Sequence, residues 1–149
     1  MLIKQIISVM AKITTLSIPQ SAVIPYRIQD GKLEILLITS SGGKRWIIPK
    51  GMIEIFMKPH DSAAKEAWEE AGVVGEVSET PIGTYSYKKS GCTFLVEVFA
   101  LRVDTVFHHW PEAKIRKREW LSYKQAIKRI EESDLKQILL EFPLHIMSV

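Results

Sequence analysis

Three carboxylates, Glu66, Glu69 and Glu70, fall within one short stretch that has the marks of a helix. Pro59 suits a first-turn position, Asp61 in the same turn complements the positive helix end, and Gly72 supplies a C-terminal stop. At helical period, Ala63, Ala64, Ala67, Trp68 and Ala71 lie on one side of residues 59–72, and the three glutamates lie opposite. Glu66 and Glu70 are one turn apart, where like charges repel by a few tenths of a kcal/mol. Neither has a basic residue four positions ahead, since those places hold Glu70 and Val74. Lys65 precedes Glu69, but in the weaker orientation. Acids gathered without matched cations suit a hard divalent ion, which takes oxygen ligands and shares them with substrate phosphates. Taken alone, the same helix also reads as a solvated acidic face.

Composition limits what can surround such a site. The 149 residues are 46% apolar and 25% charged, as expected of one compact domain, 1–149, with 1–19 as an extension of uncertain structure. No run approaches the roughly 20 apolar residues of a membrane span, and Met1–Gln20, broken by Lys4, Gln5 and Lys12, lacks the form of a secretory signal. Cys92 is the only cysteine, which excludes an intrachain disulfide and makes a reducing cytoplasm the expected location. Net charge is +3, too modest to favour a nucleic-acid partner. The basic run Lys114, Arg116, Lys117 and Arg118 with an acidic cluster elsewhere suits a small phosphorylated substrate brought to a metal, or else a solvated strand edge.

The elements that must position these groups alternate along the chain. Residues 20–28 read as a strand, with Pro25 placing it at an edge or bulge, and Asp30-Gly31 signals a hairpin into Leu33–Ile38. After the loop Ser40–Gly43, Arg45–Pro49 reads as a short buried strand. Thr80–Lys88 and Thr93–Val103 form an antiparallel pair turning at Ser90-Gly91, Arg116–Leu121 another strand, and Tyr123–Glu131 and Asp134–Glu141 helices. Strands, helix, strands, helices imply a mixed sheet covered by helices, in the α/β (α+β) class.

The segment Gly51–Val74, GMIEIFMKPHDSAAKEAWEEAGVV, resembles the Nudix box, a loop-helix signature. Gly51, Glu66, Glu69, Glu70, Gly72 and Val73 fall on their places without a gap. Met57 stands where the box has its first Glu, Lys65 where it has Arg, and Ala67 is smaller than the usual aliphatic. Upstream, RWIIPKG is similar to the strand and loop that lead into the box. Downstream, HHWPEAKIRKREWLSYKQAIKRI is similar to the diphosphoinositol polyphosphate and diadenosine polyphosphate hydrolase branch. The likeness runs from about Ser21 to Phe142. The box is also similar to that of bacterial relatives lacking its first Glu, a resemblance that implies Met57 is a subfamily trait.

The resemblance implies a Nudix-type α/β/α sandwich and a hydrolase that opens a diphosphate linkage in a nucleoside or inositol polyphosphate with Mg²⁺ or Mn²⁺. It implies metal ligation by Glu66 and Glu70, with Glu69 and the Gly51 carbonyl as further ligands. The general base is left among Glu66, Glu69 and Glu112. Cations for substrate phosphates are Arg27, Lys44, Arg45, Lys50, Arg116 and Lys117, with Arg27 and Arg45 favoured near strand ends. Glu97, inside an apolar strand, needs a partner, either the metal site or a Lys or Arg. The histidines (His60, His108, His109, His145) lack metal spacing and read as loop or surface residues. Trp46, Trp110 and Trp120 read as core or rim, with Trp110 a base platform if open. The departures at Met57 and Lys65 motivate an alternative, a nucleotide sensor that keeps the fold without catalysis. A monomer or a homodimer fits equally.

Overall fold

The computed structural model describes residues 2–6 and 17–147. The extension expected over 1–19 therefore lies largely outside the described residues; residues 2–6 form a short helical segment. Among the described residues eight strands make one mixed sheet in which β1 (Ile18–Gln29) is the spine. Along one flank it runs parallel to β7 (Cys92–Val106). Along the other it is antiparallel first to β4 (Lys50–Met52) and then to β2 (Lys32–Thr39). Beyond these, β2 pairs with β3 (Trp46–Ile47) and β8 (Arg118–Ser122), and β7 pairs with β5 (Val73–Val77) and β6 (Gly83–Lys89).

Pro25 is thus not at an edge. Pairing to β4 covers Gln20–Ala22 and pairing to β2 begins at Tyr26, so Pro25 falls in the gap between them. The Val23 N–H on that flank goes to the Pro49 carbonyl, and two residues on, where a donor would point the same way, none is needed. The two hairpins form as expected. Asp30 (φ 51°) and Gly31 (φ 76°) close one, and Ser90 (φ 53°) and Gly91 (φ 77°) the other, the left-handed pairs that match strand twist. Sequence periodicity missed β4 and β5, which are short; β8 begins at Arg118, not Arg116, and only Trp46–Ile47 of the expected 45–49 strand are in the sheet.

Strand alternation sends two apolar faces in opposite directions. One face packs Val23, Leu36, Ile38, Phe99 and Leu101 against Ala63, Ala67 and Ala71 of the acidic helix. The other packs Ile24, Ile35, Val96 and Val98 against α2 (Tyr123–Arg129) and α3 (Ser133–Met147). The result is the expected α/β/α sandwich. A capping box on Ser122 and Gln125 starts α2. Unlike the expected 134–141, α3 continues through Pro143. The hydroxyl of Tyr123 donates to the Leu139 carbonyl at 2.7 Å, the acceptor that proline at i+4 leaves without its N–H.

Phe142 anchors α3 on the sheet, fully buried and edge-on to Tyr26 with ring centroids 5.3 Å apart. Phe142→Ala is expected to cost about 3–5 kcal/mol, read as a fall in the urea midpoint with an unchanged denaturant slope.

Candidate active site

The acidic helix α1 (Pro59–Glu66) passes directly into a π-helical turn, Ala67–Ala71, and stops at Gly72 with φ 66°. Gly72 can take that left-handed conformation without strain. The end of a helix leaves carbonyls without partners, and here the segment 107–118 supplies a donor to four in a row. The Glu112 N–H reaches the Glu69 carbonyl at 3.0 Å, and the Phe107 N–H reaches that of Gly72 at 2.9 Å. Trp110 Nε1 donates to the Glu70 carbonyl at 3.0 Å, and Arg118 Nη1 to that of Ala71 at 2.8 Å. The Arg118 guanidinium also covers the Trp110 ring, 3.9 Å from its centroid. Trp110 is therefore a rim anchor with one face covered, and the docking carries Glu112 to the helix.

Glu70 is not on an open face. It is 6% exposed, turned under the helix by the widened turn toward the sheet. Its Oε1 accepts the Lys50 N–H at 2.8 Å and its Oε2 accepts from Arg116 Nη2 at 2.6 Å. The expectation of three glutamates without matched cations is corrected here, because the cation arrives from 46 residues away in sequence. Glu69 leans on Lys65 at 3.5 Å, and Lys65 also binds Glu54 at 2.6 Å. Ser62 holds the Glu54 segment in place, its hydroxyl accepting the Glu54 N–H and donating to the Met52 carbonyl.

Among the described residues Glu66 has no such cation. Burial, and after it the charges of Glu70, Glu69, Glu112 and Glu54, push its carboxyl up from 4.5 to about 7. Burial also raises Glu70, against the opposing Lys50 N–H and Arg116. The Glu66 carboxylate lies on the backbone of Gly51, where a Cβ would stand 2.2 Å from its Oε1. A side chain at this position would have to push the Glu66 carboxylate aside. A carboxylate over a bare backbone, amid uncompensated negative charge, fits a hard divalent cation, with Glu66, Glu70, the Gly51 carbonyl and a Glu69 or Glu112 oxygen as the donor set. As the side chains stand, no three acids or histidines among the described residues converge on one point. Glu70 and Glu69 are held by Arg116 and Lys65.

Beside Glu70 opens a cavity of about 580 Å³ whose wall includes Arg45, Lys50 and Arg116. Burial lowers the Lys50 ammonium, which sits 4.9 Å over the Tyr87 ring. The β6–β7 hairpin adds Lys88 and Lys89, and Glu132 and Asp134 stand at the start of α3. Sequence reasoning missed these, although a lysine pair beside a Ser-Gly turn was a readable signal. Of the other expected phosphate ligands, Arg27 is committed to Glu34 at 2.8 Å and lies over Trp120. Lys117 faces a separate shallow depression, and exposed Lys44 lines neither. Arg116 lines the cavity but has three donors committed, to Glu70, Glu112 and Thr39. Glu97 forms no ion pair among the described residues; it is half-buried on the α1 face of β7, in register with Ser21. His60 is half-buried near Phe99, contrary to a plain surface role.

The profile of the NUDIX domain matches residues 18–142, so that it covers the whole sheet, α1 and the cavity. The chain belongs to the NUDIX domain family. Among its relatives, Nudix hydrolase 21, chloroplastic, of Arabidopsis thaliana is 35% identical over 125 residues, 80% of this chain and 63% of that protein. Diphosphoinositol polyphosphate phosphohydrolase 3-alpha of Mus musculus is 34% identical over 101 residues, 66% of this chain and 60% of that one. The chain thus spans less than two thirds of either relative. In structure it is similar to a C. elegans Ap4A hydrolase with a TM-score of 0.71 at 20% identity, covering 88% of this chain and 99% of that one, a likeness of fold. Nudix hydrolases generally use divalent cations, in keeping with the oxygen donors around Glu66. No helix among the described residues is long and apolar enough to cross a membrane.

Two outcomes check this geometry. Gly51→Ala is expected to fold but to weaken Mg²⁺ binding at least about tenfold, seen by calorimetry, because the methyl group displaces the Glu66 carboxylate. A folded-state pKa of about 7 against 4.5 means that the Glu66 contribution to stability is full below 4.5 and is lost as pH rises through 7. With divalent ions removed, the thermal midpoint should therefore fall between about pH 5 and pH 8, and Glu66→Gln should flatten that slope.

Proposed function

We propose that this protein hydrolyses a diphosphate linkage in a nucleoside or inositol polyphosphate, of the diadenosine polyphosphate or diphosphoinositol polyphosphate type, with Mg²⁺ or Mn²⁺. The observation that carries this reading is the uncompensated Glu66 carboxylate seated on Gly51, the residue that follows Lys50, which walls a cavity together with Arg45 and hairpin lysines. A diphosphate resists water because its anionic oxygens repel the nucleophile. A divalent cation, held by Glu66, Glu70 and the Gly51 carbonyl with Glu69 beside them, would cancel that charge and acidify a bound water.

The chain's own groups do the rest. Lys50 and Arg45 draw phosphate oxygens into the cavity, and Lys88 and Lys89 extend the cationic wall outward for a substrate with several phosphates. Lowered by burial, Lys50 presents a weakly hydrated ammonium, and its backbone N–H fixes one Glu70 oxygen. The proton of the attacking water passes to a carboxylate, Glu66, Glu69 or Glu112, of which Glu112 is the one outside the helix. Names of relatives support the substrate class: one is a diphosphoinositol polyphosphate phosphohydrolase and one an Ap4A hydrolase. We read 1–149 as one domain, monomeric or homodimeric, and, from the lone Cys92, cytoplasmic.

Met57, in place of the first box glutamate, favours a second reading, a fold-retaining nucleotide sensor. A panel of nucleoside and inositol polyphosphates with Mg²⁺ separates the two. Cleavage by the wild type, read as mononucleotide products or as released phosphate according to the substrate and lost in Glu70→Gln at a stability cost of about 1–3 kcal/mol, is the expected result. Tight binding without metal dependence and without product would establish the sensor instead.

A further inference from the structure

Arg116 stands where two site carboxylates from different segments meet. Nη2 donates to Glu70 Oε2 at 2.6 Å and Nε to Glu112 Oε1 at 3.1 Å, while Nη1 is fixed by the Thr39 carbonyl at 3.0 Å. The side chain is 10% exposed and Glu70's is 7% exposed, so water screens this pair little. Glu70 comes from the acidic helix and Glu112 from the docked segment that follows β7. A single guanidinium thus offsets part of the negative charge that a divalent ion would otherwise meet, shared between two carboxylates.

We propose that Arg116 is a built-in counter-cation that holds Glu70 and Glu112 until a divalent ion binds, competes with that ion for them, and on release turns its donors to substrate phosphate in the adjoining cavity. The inference rests on the metal-dependent reading above and goes beyond it by assigning Arg116 two alternating partners. The physical reason is electrostatic. Removing a buried carboxylate's only cation leaves it uncompensated, which is costly, so a site that must exist before its metal arrives benefits from a placeholder. A guanidinium and a doubly charged ion sharing one carboxylate repel each other, so each weakens the other's hold by the same factor. The planar fork that spans two carboxylates also fits two phosphate oxygens. Arg116 already forms part of the cavity wall. Arg116 is a positioning residue before the exchange and a substrate ligand after it.

Calorimetric titration of the whole chain with Mg²⁺ alone, without substrate, tests this in wild type, Arg116→Gln and Arg116→Lys. Arg116→Gln is expected to bind Mg²⁺ about tenfold more tightly and to gain more thermal stability from the ion than wild type does. Arg116→Lys, which keeps the charge, stays near wild type. Natively folded Arg116→Gln that binds Mg²⁺ no more tightly overturns the proposal. Should Arg116→Gln fail to fold, the wild type still decides by NMR. The Arg116 Nε–H resonance should shift and exchange faster with solvent as Mg²⁺ saturates, and a resonance that stays unmoved overturns the exchange. Wild type taking up neither Mg²⁺ nor Mn²⁺ would defeat the metal reading together with this proposal, whereas equal uptake by all three proteins defeats the competition alone.

Discussion

Four carbonyls at the end of the acidic helix, those of Glu69, Glu70, Ala71 and Gly72, find their donors on one distant segment, 107–118. Left without partners in a buried place, such groups would each cost on the order of 1–3 kcal/mol. The widened turn over Ala67–Ala71 therefore depends on that segment, and the segment depends on the turn. The T-shaped contact of Trp68 with Phe107, 5.0 Å between centroids, and the stacking of Arg118 on Trp110 close the same joint. A functional consequence follows from this packing. The backbone contact that satisfies Glu69 is made by Glu112 itself, so the acid outside the box is delivered by the bond that ends the helix.

Charge is distributed by the same logic. Each glutamate of the helix meets a different environment although all three are neighbours in sequence. Glu70 is buried and clamped, Glu69 is half-exposed on Lys65, and Glu66 lies on Gly51 without a cation. Burial raises the carboxyls of both Glu66 and Glu70, that of Glu66 to about 7. Beyond Glu70 the cavity wall is richer in cations, with Arg45, Lys50, Lys88 and Lys89 beside Glu132 and Asp134. Acid on one side and base on the other match a polyphosphate whose anionic groups must be gripped while a cation engages the reacting one.

The departures from the box acquire a structural account in the same terms. Lys65 retains the charge of the Arg it replaces and uses it on Glu54 and Glu69. Glu54, three residues before Met57, thus supplies a carboxylate to the loop that Met57 does not, and Ser62 fixes its backbone. Ala67 is fully buried against the sheet, where a small residue lets the helix approach closely.

What the sequence determined alone was whatever depends on local spacing. The helix that starts at Pro59 and stops at Gly72 and the Asp30-Gly31 and Ser90-Gly91 turns rest on short-range rules of period and backbone conformation, whereas the α/β/α sandwich was implied by the likeness of Gly51–Val74 to the Nudix box. Tertiary structure decided everything that turns on which distant groups meet. Pro25 reads as an edge or bulge residue until β4 and β2 are seen to leave a gap opposite it. Arg27 reads as a phosphate ligand until Glu34 and Trp120 take it, and Glu70 reads as unpaired until Arg116 reaches it. Ion pairs and cavities form between segments tens of residues apart, and no periodicity along the chain encodes the partner. The chain announces its carboxylates, and only folding determines which of them keep a charge without a counter-ion.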